Sequence, residues 1–244
     1  MSRPYLLCIG HRGAMGHAPE NTLISVRKAL ELGARCLEVD VYYVDGELVV
    51  YHDDRLERTT NGVGYVEQQT FAYLRSLDAG GGQKIPTLAE VCQAVGPRAG
   101  LNIELKGEGT AAPVAELLSG LIASGWQKER FLVSSFNHIE LSEMKRLHAD
   151  IRIGALIRCV PVSGASFAEE LGAFSVHPCV EFVNQWFVDD AHQRGLKVFV
   201  YAVDHVEDIA RMQSLGVDGV FTGYPERVLE HYAQGDGADV WERR

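Results

Sequence analysis

Short apolar runs alternate with longer amphipathic segments along almost the whole chain, and this alternation limits the possible folds more than any other feature. The apolar runs have the length of strands, and the segments between them repeat their apolar residues at helical spacing. Eight strands are predicted near residues 5–10, 36–44, 101–106, 131–136, 152–157, 174–178, 197–203 and 218–223. Because a helical segment follows each of them, we predict the α/β class and a closed (β/α)8 TIM barrel.

Glycines mark the ends of several predicted helices. Gly33, Gly125, Gly195 and Gly216 each follow a periodic segment, in the position just past a helix where glycine is favoured. The predicted helices lie near residues 22–33, 87–96, 110–125, 138–149, 166–173, 184–195, 205–216 and 225–234. The structural alternative is an open, doubly wound sheet, whose first strand is normally followed by a glycine-rich phosphate loop. Residues 10–13 lack that glycine spacing, so we favour the closed barrel.

The stretch after the second strand breaks the alternation. Asp45-Gly46 is a tight hairpin signal, and residues 47–52 are typical of a strand that returns antiparallel to the second one. Residues 53–86 are polar and contain several glycines, which predicts an irregular conformation. We interpret residues 45–86 as a small insertion in a single domain that spans residues 1–244. It is expected to lie over the carboxyl ends of the strands, where this fold carries active sites.

Charge and composition exclude several classes of partner. The chain has 23 Lys and Arg residues against 33 Asp and Glu residues, a formal net charge of −10. Nucleic acids and anionic membranes both favour clustered basic residues, so we expect no nucleic-acid partner and no stable membrane association. No apolar stretch reaches transmembrane length, and the first apolar run is too short for a signal peptide. The five scattered cysteines contain no CxxC motif, which favours the reducing cytoplasm.

Acidic and apolar side chains alternate on two neighbouring strands. Glu38 and Asp40 share one face of the second strand, and Glu104 lies in the same way on the third. Two unit charges about 4 Å apart repel by roughly 4 kcal/mol at an effective dielectric of about 20, so converging carboxylates need a counter-charge. An all-oxygen cluster suits a hard cation, and we predict that these residues bind Mg²⁺ or Ca²⁺. The alternative is a set of structural ion pairs, such as Glu104 with Lys106 and Glu38 with an arginine.

Two histidines are expected at the same rim of the barrel. His11 directly follows the first strand, and His52 ends the return strand. Cleavage of a phosphate ester needs a base for the nucleophile and an acid for the leaving oxygen, and imidazole titrates in the right range for both roles. Arg12 and Lys106 supply the local positive charge that an acidic chain needs to bind phosphate. The nucleophile can be water or a hydroxyl of the substrate, and the sequence leaves both routes open.

Several short motifs, taken in order, resemble the glycerophosphodiester phosphodiesterase family. They are His11-Arg12-Gly13, Pro19-Glu20-Asn21-Thr22, Glu38-Val39-Asp40, His52-Asp53 and Glu104-Leu105-Lys106. Residues 133–137 and 217–222 are similar to the family's later strands, so the resemblance covers nearly the whole chain. It implies hydrolysis of a small-molecule glycerophosphodiester to glycerol 3-phosphate and an alcohol, within lipid and glycerol metabolism. It also implies a divalent cofactor, Mg²⁺ or Ca²⁺.

The resemblance further implies roles for individual residues. It assigns acid/base catalysis to His11 and His52. It assigns metal binding to Glu38, Asp40 and Glu104. It assigns phosphate binding to Arg12 and Lys106. Glu20 is expected to orient Arg12 or His11. Asn21 is expected to contact the metal or the substrate. An alternative role for Asn21 or Thr22 is to cap the helix that follows.

Aromatic residues at the rim bear on the choice of substrate. Phe136 and Tyr201 are expected to line the alcohol side of the site, although they can also serve as rim packing. The chain departs from the family pattern at residues 201–204, Tyr-Ala-Val-Asp for Trp-Thr-Val-Asn, and at residues 222–225, Thr-Gly-Tyr-Pro for Thr-Asp-x-Pro. These changes leave the head group open. The alternatives are a lysophospholipase D-like lipid phosphodiesterase and a non-catalytic barrel that binds a phosphodiester.

Overall fold

Eight parallel strands close into a barrel in the computed structural model, which describes residues 4–234 and 239–242. The described strands are β1 (Leu7–Gly10), β2 (Cys36–Val44), β3 (Glu47–Val50), β4 (Gly100–Leu105), β5 (Phe131–Ser135), β6 (Arg152–Ile157), β7 (Ser175–Pro178), β8 (Lys197–Val200) and β9 (Gly219–Thr222). All except β3 pair in parallel, and β1 pairs with both β2 and β9, which closes the sheet. The predicted (β/α)8 TIM barrel is confirmed.

A helix follows each barrel strand. The described helices are α1 (Leu23–Glu31), α2 (Phe71–Ser76), α3 (Leu88–Val95), α4 (Ala111–Ala123), α5 (His138–Leu147), α6 (Ser166–Glu170), α7 (Gln185–Gln193), α8 (Val206–Ser214) and α9 (Pro225–Leu229). Each predicted helix overlaps one of these. Thr22, rather than Asn21, caps α1, because its side chain accepts a hydrogen bond from the N–H of Ser25.

The main core lies between the barrel strands and the surrounding helices. On β2 it contains the side chains of Leu37, Val39 and Val41, which are fully buried there. Because side chains alternate along a strand, the residues between them, Glu38 and Asp40, point into the barrel instead. The alternation along β2 therefore places apolar side chains in the core and acidic side chains inside the barrel.

A second core fills the lower part of the barrel. It includes Leu7, Leu132 and Phe199 from three strands, together with Trp241 from the segment 239–242. The Trp241 indole packs against Gly100, where an added Cβ would lie 2.8 Å from the ring. Gly100 is the first residue of β4, so the indole closes the barrel at the amino ends of the strands. The segment is fixed by Arg152, whose guanidinium bonds to both oxygens of Asp239.

Trp241→Ala is expected to destabilise the fold without changing the chemistry at the opposite end. The indole is 1% exposed, and removing a large aromatic side chain from a packed core costs about 3–5 kcal/mol. Urea denaturation followed by circular dichroism measures this loss. Trp186→Ala is the matched control, because Trp186 is 52% exposed and its removal should change stability by less than about 0.5 kcal/mol. Equal midpoints for the two variants would contradict the role given to Trp241.

The insertion contains more regular structure than the sequence predicts. An irregular conformation for residues 53–86 is wrong, because α2 lies within them and begins at Thr70, whose side chain caps it. Leu74 of α2 packs in a small separate core with Leu56 and Val66. Leu74 is also the one buried residue among the six of this helix, so the sequence lacks the apolar stripe by which a longer helix is recognised.

The cysteines and helices bear on the expected location of the protein. Cys8, Cys36, Cys92 and Cys179 are buried, Cys159 is exposed, and all five are free thiols. In the parts of the chain that the structure describes, no helix combines the length and the apolar character needed to cross a bilayer. The cytoplasmic location stays a prediction.

Candidate active site

Three carboxylates meet at the carboxyl ends of two neighbouring strands. The register of β2 and β4 pairs Asp40 directly with Glu104, and Glu38 lies two residues before Asp40 on the same face. One oxygen from each carboxylate lies within 4.8 Å of one from each of the others. The three residues are buried, with exposures of 2% for Glu38, 1% for Asp40 and 8% for Glu104. The structure thus brings the three predicted metal ligands together.

The negative charge of this acidic triad (Glu38, Asp40 and Glu104) is only partly balanced by the protein. Burial, followed by the charges of Asp40 and Glu104, raises the pKa of Glu38 well above its usual value. Burial and Asp40 likewise raise the pKa of Glu104 to about 7, although Lys106 opposes this. In addition, Glu38 Oε1 is buried and has no hydrogen-bond partner. A hard divalent cation fits this donor set, because it would bind the free oxygen and stabilise all three ionised carboxylates.

Two protein cations lie at the edge of the acidic triad. Lys106 Nζ is 2.9 Å from Glu104 Oε1 and 3.7 Å from Asp40 Oδ1. Arg12 Nε is 3.6 Å from Asp40 Oδ2, and the backbone N–H of Arg12 donates to Glu38 Oε2 at 2.8 Å. Of the ion pairs considered as an alternative to a metal, the one between Glu104 and Lys106 forms, whereas Glu38 receives only a backbone N–H from an arginine. Two cations do not balance three carboxylates, however, and Arg12 is shared with a fourth.

That fourth carboxylate belongs to Glu20, and its neighbour Asn21 serves the triad. Glu20 Oε1 accepts a 2.7 Å hydrogen bond from Arg12 Nη1, so of the two partners considered for Glu20 the structure shows Arg12. Asn21 Nδ2 donates to Asp40 Oδ2 at 2.8 Å.

The two predicted histidines line one cavity of about 170 Å³, here called the central cavity, which Arg12, Glu38 and Glu104 also line. Glu20 and Asn21 do not line it. His11 is held at the end of β1 because its backbone N–H donates to the carbonyl of Thr222 at 2.8 Å. His52 follows β3, and its Nδ1 is 2.6 Å from Asp53 Oδ1. The cavity therefore combines negative, positive and titratable groups.

The imidazoles differ in their surroundings. Burial lowers the pKa of His11 to about 3, with adjacent Arg12 as a second cause, so this ring is neutral. Burial also lowers the pKa of His52, although Asp40 opposes the shift. Burial alone would raise the pKa of Asp53, but hydrogen bonds from Arg58 and His52 outweigh this effect and lower the pKa to about 2. An ionised Asp53 can only accept, so Nδ1 of His52 carries the hydrogen, and this hydrogen bond offsets part of the effect of burial on the pKa of His52.

The remaining wall of the cavity is mostly apolar. The rings of Phe136 and Tyr201 meet edge to face with centroids 5.7 Å apart, and the Tyr201 hydroxyl donates to the carbonyl of Ile157 at 3.0 Å. Leu156 and Phe221 also line this wall, together with Ala202. Leu156 and Phe221 were not predicted from the sequence, because an apolar side chain in a strand carries no chemical signal of its own. The contact between Asp53 and His52 could have been predicted, because an acidic residue directly follows the histidine in the sequence.

Comparisons with known proteins agree with this geometry. Residues 11–227 match the model of the glycerophosphoryl diester phosphodiesterase family. A glycerophosphodiester phosphodiesterase of Caldanaerobacter subterraneus subsp. tengcongensis is 38% identical over 94% of this chain and 98% of the relative. One of Bacillus subtilis is 31% identical over 93% and 86% of the two chains. A phosphodiesterase of Oleispira antarctica, solved with its product sn-glycerol-3-phosphate, superposes with a TM-score of 0.84 at 31% identity over 94% and 96% of the chains.

Proposed function

Since the chain belongs to the glycerophosphoryl diester phosphodiesterase family and hydrolyses glycerophosphodiesters to glycerol 3-phosphate and an alcohol, we propose that the central cavity is its active site. The observation that supports this most strongly is the meeting of two carboxylates of the acidic triad, two imidazoles and a guanidinium around one space of about 170 Å³. The bound product in the Oleispira antarctica relative supports a small glycerol phosphate as the retained half of the substrate.

The acidic triad is the proposed metal site. Glu38, Asp40 and Glu104 would hold one Mg²⁺ or Ca²⁺ ion, which supplies Lewis-acid polarisation of a phosphoryl oxygen when it is bound. Asn21 keeps the Asp40 carboxylate turned towards the triad through its 2.8 Å hydrogen bond. In this account the acids form a binding site, and their mutual repulsion in the free protein is relieved by the ion.

Arg12 and Lys106 are the proposed phosphate ligands. Both lie beside the triad, so a phosphate held there faces positive charge from two sides. Arg12 offers a planar pair of N–H groups that match two phosphate oxygens, and Lys106 acts as a point charge. Glu20 holds Arg12 from behind and so restricts the directions in which its guanidinium can point.

His52 is the proposed proton donor and His11 the proposed acceptor. Asp53 accepts a hydrogen bond from Nδ1 of His52 and so offsets part of the lowering of the His52 pKa by burial. The protonated ring can then give a proton to the departing alkoxide. His11 is neutral because burial lowers its pKa to about 3, and the neutral imidazole is the form that can take a proton from the nucleophile. Each role typically contributes about 10²–10⁴ in rate.

The apolar wall is the proposed alcohol side. Phe136 and Tyr201 lie in the same cavity as the charged residues, so an ester whose phosphate meets Arg12 places its alcohol near the rings. Release of glycerol 3-phosphate would place the reaction in lipid and glycerol metabolism. The five free thiols are compatible with the expected cytoplasmic location.

A head-group panel tests this function. Metal-free protein is mixed with glycerophosphocholine, glycerophosphoethanolamine, glycerophosphoglycerol or a lysophospholipid, and glycerol 3-phosphate or lysophosphatidate is measured with and without added Mg²⁺ or Ca²⁺. We expect metal-dependent release of glycerol 3-phosphate from the water-soluble esters. Faster turnover of the lysophospholipid would favour a lipid phosphodiesterase, and binding without turnover would contradict the enzyme.

A further inference from the structure

Arg58 is a residue of the insertion to which the sequence analysis assigned no role. Its guanidinium binds Glu20 with two hydrogen bonds, Nη1 to Oε2 at 2.8 Å and Nη2 to Oε1 at 2.6 Å. It binds Asp53 with two more, Nε to Oδ2 at 2.5 Å and Nη2 to Oδ1 at 2.9 Å. One planar side chain therefore spans two carboxylates and fixes the orientation of both.

Each of these carboxylates also contacts a residue of the proposed site. Glu20 Oε1 accepts from Arg12 Nη1 at 2.7 Å, and Asp53 Oδ1 accepts from His52 Nδ1 at 2.6 Å. The five side chains form one continuous chain in the order Arg12, Glu20, Arg58, Asp53, His52. It links the loop after β1 to the insertion, and it joins the phosphate-binding arginine to the proton donor.

Charge explains why the middle of this chain matters. Burial opposes ionisation of Glu20, but the hydrogen bonds from Arg58 and the charge of Arg12 outweigh it and lower the pKa to about 2. Without Arg58, two carboxylates that each serve a different site residue would face one another without a cation between them. Repulsion would then turn Glu20 from Arg12 and Asp53 from His52.

We propose that Arg58 is a positioning residue for the hydrolysis, because it holds Glu20 against Arg12 and Asp53 against His52. The proposal rests on the roles assigned above to Arg12 and His52. Arg58 does not line the central cavity, so it acts through its neighbours rather than on the reacting atoms. The insertion thus supplies His52 and, through Arg58, also fixes a residue of the barrel.

The test compares Arg58→Gln with Arg55→Gln. Arg55 lies in the same insertion and is exposed to a similar extent, 48% against 49% for Arg58, but its ion pair is with Glu57. With the metal-loaded enzyme and glycerophosphocholine, we expect Arg58→Gln to lower kcat by about 10- to 100-fold, as misplaced reacting groups do, while Arg55→Gln keeps wild-type turnover. Arg58→Lys retains the charge but cannot span both carboxylates, so it should also lose kcat while it stays folded.

Two readouts separate positioning from a general structural role. The loss in the double variant Arg58→Gln/Asp53→Asn should be close to that of the larger single variant, because both changes break one chain. The loss should also shrink with a nitrophenyl ester, whose leaving group needs little help from the His52 proton. A wild-type kcat for folded Arg58→Gln or Arg58→Lys, or a loss confined to KM, would overturn the proposal. His52→Ala is measured in parallel: if it too were fully active, the fault would lie with the proposed function instead.

Discussion

Replacing His52 by alanine is expected to lower kcat for glycerophosphocholine by about 10²–10⁴-fold, and replacing His11 should have an effect of the same order. Both rings line the cavity that Glu38 and Glu104 of the acidic triad also line, and neither ring belongs to the buried apolar cores. The variants should therefore unfold at nearly the wild-type temperature. Steady-state release of glycerol 3-phosphate together with thermal denaturation measures both effects.

The leaving group distinguishes the two histidines. Nitrophenolate departs without a proton, so His52→Ala should recover much of its loss on a nitrophenyl phosphodiester, whereas His11→Ala should not. His192→Ala is the control, because His192 lies on α7, is paired with Asp218 and is absent from the cavity. Near wild-type turnover of the natural ester by His11→Ala or His52→Ala would refute the acid/base assignment. Recovery by His11→Ala alone would show that the two roles are reversed.

Removal of the metal is the second change with a large expected effect. Chelation should abolish turnover, and Mg²⁺ or Ca²⁺ should restore it, because the acidic triad leaves Glu38 Oε1 buried and without a partner. The ion should also stabilise the fold, since a ligand at about 100 times its Kd adds about 2.7 kcal/mol. Thermal denaturation with and without each ion reports binding independently of activity.

Glu38→Gln tests whether the acidic triad is the site at which the metal ion binds. It preserves the shape of the side chain and removes one negative charge, so we expect weak metal binding, little thermal stabilisation by the ion and little activity. Glu143→Gln is the control, because Glu143 lies on the surface of α5 and pairs with Arg146. A full thermal shift with Glu38→Gln, or activity that is indifferent to chelator, would remove the triad from the metal site.

The sequence predicts well those features that repeat locally. The alternation of eight strand patterns with helical patterns is enough to predict the barrel. The two-residue repeat of β2 is enough to place Glu38 and Asp40 on one face. That Glu104 joins them depends on the register between β2 and β4, which pairs Asp40 with Glu104. The order of the strands made this pairing reasonable, but only the closed sheet shows it.

Two features that depend on distant contacts could not be predicted. Arg58 meets Glu20 across 38 positions, and nothing near either residue in the sequence indicates the pairing. The sequence around Trp241 does not indicate that its indole packs into the core at the amino ends of the barrel strands. In both cases the partner is chosen by tertiary packing, which a local pattern of charge or hydrophobicity does not encode.

A crystal soaked with Mn²⁺ and glycerol 3-phosphate, with the ion located by its anomalous scattering, is the most direct test of the central claim. We predict one ion that shares oxygens from Glu38, Asp40 and Glu104, and a phosphate within hydrogen-bond reach of Arg12 and Lys106. An ion bound elsewhere, or a phosphate outside the cavity that His11 and His52 line, would contradict it.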